Sequence, residues 1–303
     1  MNAKLVYDAF HEPAFGYIVV TYFFLAAIAA GSFITSAAVE LFGLKENRAL
    51  ARIGALVTPF VMLVVGLIMI LELAQPSRFY AVVITLNPTS AMSWGAKILI
   101  LFAVASVLHA WNALKGAPQP KWLSVAGIVL AVLMAVYPPL ELVQTKASPL
   151  WQSSVLPVLY LVGALLAGTS AAVLISAARS ASATASKSGA QTAASAERNP
   201  ALCVGRCLSG LLVFSLVLVA IEMITLASGS NEARTIASVI LSGKFAILFW
   251  GLYVVVGSIL PIAILLGAAK NRSLQALAVV LILVGIYALR VIEVMGGQSF
   301  PLT

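Results

Sequence analysis

The chain has 303 residues, of which 62% are hydrophobic and only 9% charged, and its formal net charge is +8. This composition excludes a soluble globular domain, in which about a quarter of the residues are charged. The basic balance does not point to nucleic acid either, because the Lys and Arg residues are spread over the segments that join apolar runs.

Crossing about 30 Å of hydrocarbon takes about 20 apolar residues per helix, and eight runs qualify. The first, 15–42, carries Thr21 and Tyr22 and the small-residue run AAIAAGS. It is predicted to be a retained helix rather than a cleaved signal, since Lys4 is offset by Asp8 and Glu12 and the apolar run continues to Val39. The second, 51–73, ends on Glu72, and the third, 93–114, has Lys97 one turn in. Tyr137, Pro138, Pro139 and Glu141 close the fourth, 121–144. After the fifth, 155–178, comes RSASATASKSGAQTAASAERNP, a Ser/Ala linker without apolar periodicity. The sixth, 202–227, starts with Cys203 and Cys207, read as packing residues, and has Glu222 near its end. Lys244 lies in the seventh, 240–268, and Arg290 and Glu293 lie near the end of the eighth, 273–296.

Runs of this length are too long for barrel strands, and helices satisfy their own backbone in lipid. The expected fold is therefore an all-α integral membrane protein of eight transmembrane helices, arranged as two four-helix bundles. Residues 1–178 are expected to form the first four-helix bundle, 179–200 a cytoplasmic linker that splits the helices four and four, and 201–303 the second four-helix bundle region.

Lys45, Arg48, Arg52, Lys115, Lys121, Arg179, Lys187, Arg198, Arg206, Lys270 and Arg272 fall in one set of loops, against Lys4, Arg78, Lys146 and Arg234 in the other. By the positive-inside rule the first set is cytoplasmic, which places both termini in the periplasm of a bacterial inner membrane. Glu72, Glu141, Glu222, Arg290 and Glu293 then share the periplasmic end of the bundle. A charge at the centre of a bilayer costs about 2.5–3.5 kcal/mol on insertion scales, so such a gathering marks a functional end unless the groups merely anchor helix termini.

ILELAQPSRFY (70–80), NPTSAMSWG (87–95), AVYPPLELV (135–143), SPLW (148–151) and LRVIEVMGGQ (289–298) resemble the NrfD/PsrC family, the quinone-reactive membrane subunits of respiratory oxidoreductases such as polysulfide reductase. The resemblance runs through all eight spans in order. It implies a subunit without haem or metal that exchanges electrons between a quinone (menaquinone or ubiquinone) and a periplasmic four-cluster-type iron–sulfur subunit. That subunit in turn serves a catalytic one, commonly a molybdopterin enzyme of anaerobic respiration.

A quinone head needs donors to its carbonyl oxygens, a proton-exchanging group and an apolar groove. Tyr137 stands before two prolines, which free backbone carbonyls and open the helix, and the family places a quinone-binding Tyr at the matching position. Tyr22 matches, by its spacing to AAIAAGS, the position of a quinone-binding His, with Thr21 as the neighbouring alternative. A phenol donates to a carbonyl but does not exchange protons near neutrality as imidazole does, so another group is needed. Glu72 takes the place of an Asp in the family's L-D-L-x-x-P-x-R pattern and is the expected proton carrier, with Arg78 as its counter-charge. Lys97 pairs with Glu72, stabilises negative charge on the ring, or snorkels to the interface. Glu141, four residues after Tyr137 and so on the same helical face, is a proton exit. Glu222, Lys244, Arg290 and Glu293 read as structural, with Arg290 and Glu293 spaced to pair.

In the cytoplasmic half Glu40 and His109 are the nearest ionisable candidates, so protons are expected to exchange with the outside. Electrons hop to the partner over loops around Asn87 to Trp94 and Ser148 to Trp151. Among rivals, a bis-His haem anchor lacks ligands, since His11 lies before the first span and leaves His109 alone. A secondary transporter would place its charges near the midplane. A redox-inert membrane anchor would bind the same partners without touching quinone.

Overall fold

The computed structural model describes residues 15–72, 76–85, 87, 90–145, 148–186, 200–267 and 271–298. Among these residues eight helices are long and apolar enough to cross a membrane, and no strand occurs. The chain is a multi-pass helical membrane protein.

In order the elements are α1 (Tyr17–Leu41), α2 (Arg48–Glu72), the short α3 (Phe79–Ile84), α4 (Ala91–Lys115), α5 (Lys121–Gln144), α6 (Leu156–Ser186), α7 (Pro200–Ser228), the short α8 (Asn231–Leu241), a π-helical stretch (Ile247–Ile259) that runs on as α9 (Leu260–Gly267), and α10 (Arg272–Gly297). Ser90, Ser230 and Asn271 accept backbone N–H groups at the starts of α4, α8 and α10, and Gly116 ends α4 with φ +65°. Each start has the side-chain oxygen that orphaned first-turn donors require.

The seventh span departs from expectation. Instead of one run from 240, α8 ends at Leu241, the chain turns through Ser242 and Gly243, and the span begins at Ile247. Lys244 therefore lies ahead of the helix rather than inside it, exposed, with Nζ 5.2 Å from the Phe245 ring centroid. Ala-rich sequence carries α6 past the predicted end of the fifth span, on to Ser186. Five of the candidate spans precede residues 187–199 and three follow, so that stretch does not divide them four and four.

Helix α1 lies against α2, α5, α6 and α10. The apolar windows of α1 and α10 are each 67% buried, against 28% for α4 and for the seventh span, so the first pair forms the interior and the second faces lipid. Lipid tails are as apolar as Leu, so contact between helices depends on close van der Waals approach and interhelical hydrogen bonds. The AAIAAGS run supplies both. A Cβ on Gly31 would land on the Ala164 carbonyl of α6, and one on Gly168 would land on the α1 backbone. Ser32 Oγ donates to Gly168 O at 3.2 Å, Thr35 and Thr169 share a 2.8 Å hydroxyl contact, and Ser36 Oγ donates to Ala51 O at 2.7 Å.

The two ends of the described chain are clamped together. Phe15 N donates to Gln298 Oε1 at 2.9 Å, and Gln298 Nε2 donates back to Phe15 O at 3.0 Å. Glu72, Tyr137, Glu141, Trp151, Glu222, Arg290 and Glu293 all lie toward this Phe15/Gln298 end, as the alternation of helix direction requires.

Candidate functional site

Two polar clusters are buried at the Phe15/Gln298 end. In the first, α1 contributes Tyr22 and α5 contributes Tyr137 and Glu141; both tyrosines are buried and Glu141 is half-buried. The three are close enough to interact electrostatically. Tyr137 and Glu141 are one helical turn apart on one face of α5. The Tyr137 hydroxyl and Glu141 Oε2 are buried and within reach of each other, but neither completes a hydrogen bond of good geometry among the described residues. The Tyr137 ring packs over Gly95 of α4, where a Cβ would fall 2.5 Å from the hydroxyl oxygen. Buried donors and acceptors are almost always paired, so a phenol and a carboxyl left over in one patch form a place suited to a polar, hydrogen-bonding guest. The buried residues packed around these groups belong to the apolar core of the bundle.

The other predicted site residues take different positions. Glu72 ends α2 exposed and forms no ion pair with Lys97. Lys97 Nζ instead donates to Thr85 O at 2.9 Å, Ser93 O at 3.1 Å and Ser93 Oγ at 3.0 Å. Ser93 Oγ in turn donates to Thr85 O and accepts from Asn87 N, so Lys97 braces the turn entering α4. The side chain of Arg78 lies outside the described residues. Thr21 Oγ1 donates to Tyr17 O and meets the Tyr287 hydroxyl at 3.3 Å, which ties it to α10. Trp151 is buried rather than displayed on an outer loop, and its Nε1 donates to Glu293 O at 2.9 Å. Cys207 is exposed on α7; the side chain of Cys203 lies outside the described residues.

The second cluster joins α6, α7, the π-helical stretch and α10. Arg290 and Glu293 form the expected pair, Nη1 to Oε2 at 2.6 Å, with both side chains buried. The Arg290 guanidinium lies 3.4 Å above the Tyr160 ring centroid and Nη2 donates to Tyr160 O at 3.4 Å, a cation–π contact in a desolvated setting. Gly163 makes room for it, since a Cβ there would sit 2.5 Å from Nη2. Glu222 of α7 is buried beside Glu293, and Tyr253 of the π-helical stretch shares a 2.9 Å hydroxyl contact with Ser215. The clusters are linked by ring contacts: Tyr22 to Phe23 at 5.2 Å and Phe23 to Tyr160 at 6.1 Å.

Tyr160, Tyr253 and Ser215 escaped sequence reading because isolated hydroxyls in apolar runs carry no spacing signal. Gly95 was inside a quoted motif, yet only its approach to Tyr137 gives it a function. At the opposite end of the bundle His109 Nε2 meets Ser36 Oγ at 2.9 Å and its ring packs tilted against Phe33. Among the described residues no group of three or more His, Cys, Asp or Glu side chains could hold a metal ion.

The family described as polysulphide reductase, NrfD, matches residues 6–301. A polysulfide reductase polypeptide of Wolinella succinogenes is 23% identical over 93% of both sequences. A selenate reductase subunit of Mesobacillus selenatarsenatis is 29% identical over 99 residues, and a putative dimethyl sulfoxide reductase membrane subunit of Halobacterium salinarum is 26% identical over 98 residues. The last two matches cover 32% of this chain but only 23% and 22% of those relatives.

Proposed function

The chain belongs to the polysulphide reductase NrfD family, and from that premise we propose that it is the quinone-reactive membrane subunit of a respiratory oxidoreductase complex in a bacterial inner membrane. Both termini and the Tyr22/Tyr137/Glu141 patch are on the periplasmic side, and the spans divide functionally into a quinone-binding bundle and a supporting one. The observation that carries the reading is the buried Tyr137 hydroxyl and Glu141 Oε2, one turn apart beside Tyr22, within reach of each other and completing no hydrogen bond of good geometry among the described residues.

A bound quinone supplies two-electron, two-proton chemistry. Tyr137 donates its hydroxyl to one ring carbonyl, and Tyr22 supplies a second phenol from α1. Glu141 moves the proton, a role that its burial beside Tyr137 supports better than the exposed position of Glu72 supports the same role there. Glu72 and Arg78 belong to the entrance side, and Lys97 ties Thr85 to the start of α4. Thr21, already bonded to Tyr17 and Tyr287, serves helix packing.

Electrons pass directly to the nearest cluster of a periplasmic iron–sulfur subunit, seated over the start of α4, where Trp94 is half exposed. That subunit serves a molybdopterin catalytic subunit whose substrate is of the class named for the relatives, a sulfur or selenium compound.

Tyr137→Phe tests the assignment. Quinol-coupled turnover of the complex should fall while dye-coupled activity stays intact. Unchanged quinol kinetics would reduce the chain to a redox-inert anchor.

A further inference from the structure

The Tyr160/Glu222/Tyr253/Arg290/Glu293 cluster has no role in the quinone reading, yet its charge does not balance. Two carboxyl groups, Glu222 and Glu293, share one guanidinium, and the residues of all three are at most 2% exposed. Arg290 commits Nη1 to Glu293 at 2.6 Å and its face to the Tyr160 ring, which leaves Glu222 without an ion pair of its own. Glu222 Oε1, Glu293 Oε1, the Tyr160 hydroxyl and Arg290 Nε are each buried and complete no hydrogen bond of good geometry among the described residues, with the Tyr160 hydroxyl within reach of the Glu293 carboxyl. Tyr160 comes from α6, Glu222 from α7 and the other two from α10, so three separate helices supply these under-satisfied groups.

The groups facing Glu222 are Glu293 and Arg290 from α10 and Ser153 from the turn before α6, with Tyr253 of the π-helical stretch also in range. Glu232 and Arg234 of α8 are exposed and add no compensating charge inside. Ser153 is half-buried, and its hydroxyl is near enough to the Glu222 carboxyl to interact with it. It lies in the Ser148–Val155 connection at the Phe15/Gln298 end, one residue from the exposed Gln152 and Ser154. Ser153 is therefore a polar group between the cluster and exposed chain.

A carboxylate with an unbonded oxygen in a spanning helix is relieved either by a cation or by a proton. A metal ion needs several oxygen ligands, whereas one more proton both neutralises the carboxyl and creates a donor for the neighbouring unpaired oxygen of Glu293. We propose that Glu222 is a second proton-holding site, distinct from the Tyr137/Glu141 patch, which binds one proton at neutral pH and exchanges it through Ser153 with the aqueous phase at the Phe15/Gln298 end. One proton passes from water to the Ser153 hydroxyl while that hydroxyl's own proton passes to the Glu222 carboxylate, and no electron moves. Glu293 stays ionised against Arg290.

Infrared spectroscopy of the full chain with its co-purifying subunits in lipid nanodiscs tests this. At neutral pH a protonated-carboxyl stretching band should be present that Glu222→Gln removes, Glu222→Asp shifts and Glu293→Gln leaves in place. Deuterium oxide should downshift the band on mixing, and Ser153→Ala should slow that exchange at least several-fold. Absence of a Glu222-dependent band at neutral pH overturns the proposal, as does loss of the band on adding sodium chloride, which would make the site a cation site. Glu222→Asp keeps the test decisive if the Gln variant fails to fold. None of these readouts depends on quinone, so their failure leaves the assignment of Tyr137 untouched.

Discussion

The ring of Tyr137 lies directly over Gly95, so near that any side chain on that glycine would overlap the phenol. One helix thus leaves a space that another fills with its hydroxyl-bearing ring, and the pair holds the candidate donor in a fixed position.

Gly95→Ala should push the ring aside and lower quinol-coupled turnover by on the order of 10-fold to 100-fold, the range that small misplacements of a reacting group produce. Gly66→Ala is the control, because a Cβ there meets nothing within 4 Å. Steady-state assays with a quinol analogue, set against a dye donor, distinguish a site effect from loss of the complex.

The half-buried Glu141 and the exposed Glu72 make opposite predictions. Glu141→Gln should reduce quinol-coupled kcat by on the order of 10²-fold, the lower range for removing a general acid–base group, whereas Glu72→Gln should leave it at the wild-type level. The reverse ranking would move proton exchange to the end of α2.

Arg290→Leu leaves Glu293 buried and unpaired and should destabilise the protein by about 3–5 kcal/mol. Replacing both partners by Leu should recover much of that loss, since no charge is then stranded. Unfolding of the wild type, the single and the double variant in the same detergent gives the coupling directly.

Gly31→Leu and Gly168→Val should separate α1 from α6, because each added Cβ overlaps backbone rather than a movable side chain. Overpacking typically costs about 1–3 kcal/mol, and backbone contact sets these two at or above that range. Gly210→Ala, facing open space, should behave as wild type in monodispersity and Tm.

Much of the fold was legible because membrane spans are written in composition. The predicted run 121–144 coincides with α5, and 93–114 falls within α4. Where reading failed, local chemistry had interrupted an apolar run: Ser242 and Gly243 break the segment starting at 240, and Lys244 moves out of the span with them. For the site, the four-residue spacing of Tyr137 and Glu141 put them on one face without any tertiary knowledge. The spacing of Arg290 and Glu293 did the same for their ion pair. Neither spacing could bring Tyr22 to Tyr137, turn Thr21 toward Tyr287, or set Glu222 beside Glu293.

By itself the amino-acid sequence determined that eight helices are long and apolar enough to cross the membrane and roughly where each one runs. Hydrocarbon thickness and the need to satisfy every backbone polar group act on one segment at a time. Which polar side chains meet was decided only by the tertiary structure, because lateral packing in lipid depends on close approaches such as Gly31 to Ala164 and Gly95 to Tyr137, set by shape between segments far apart in the chain.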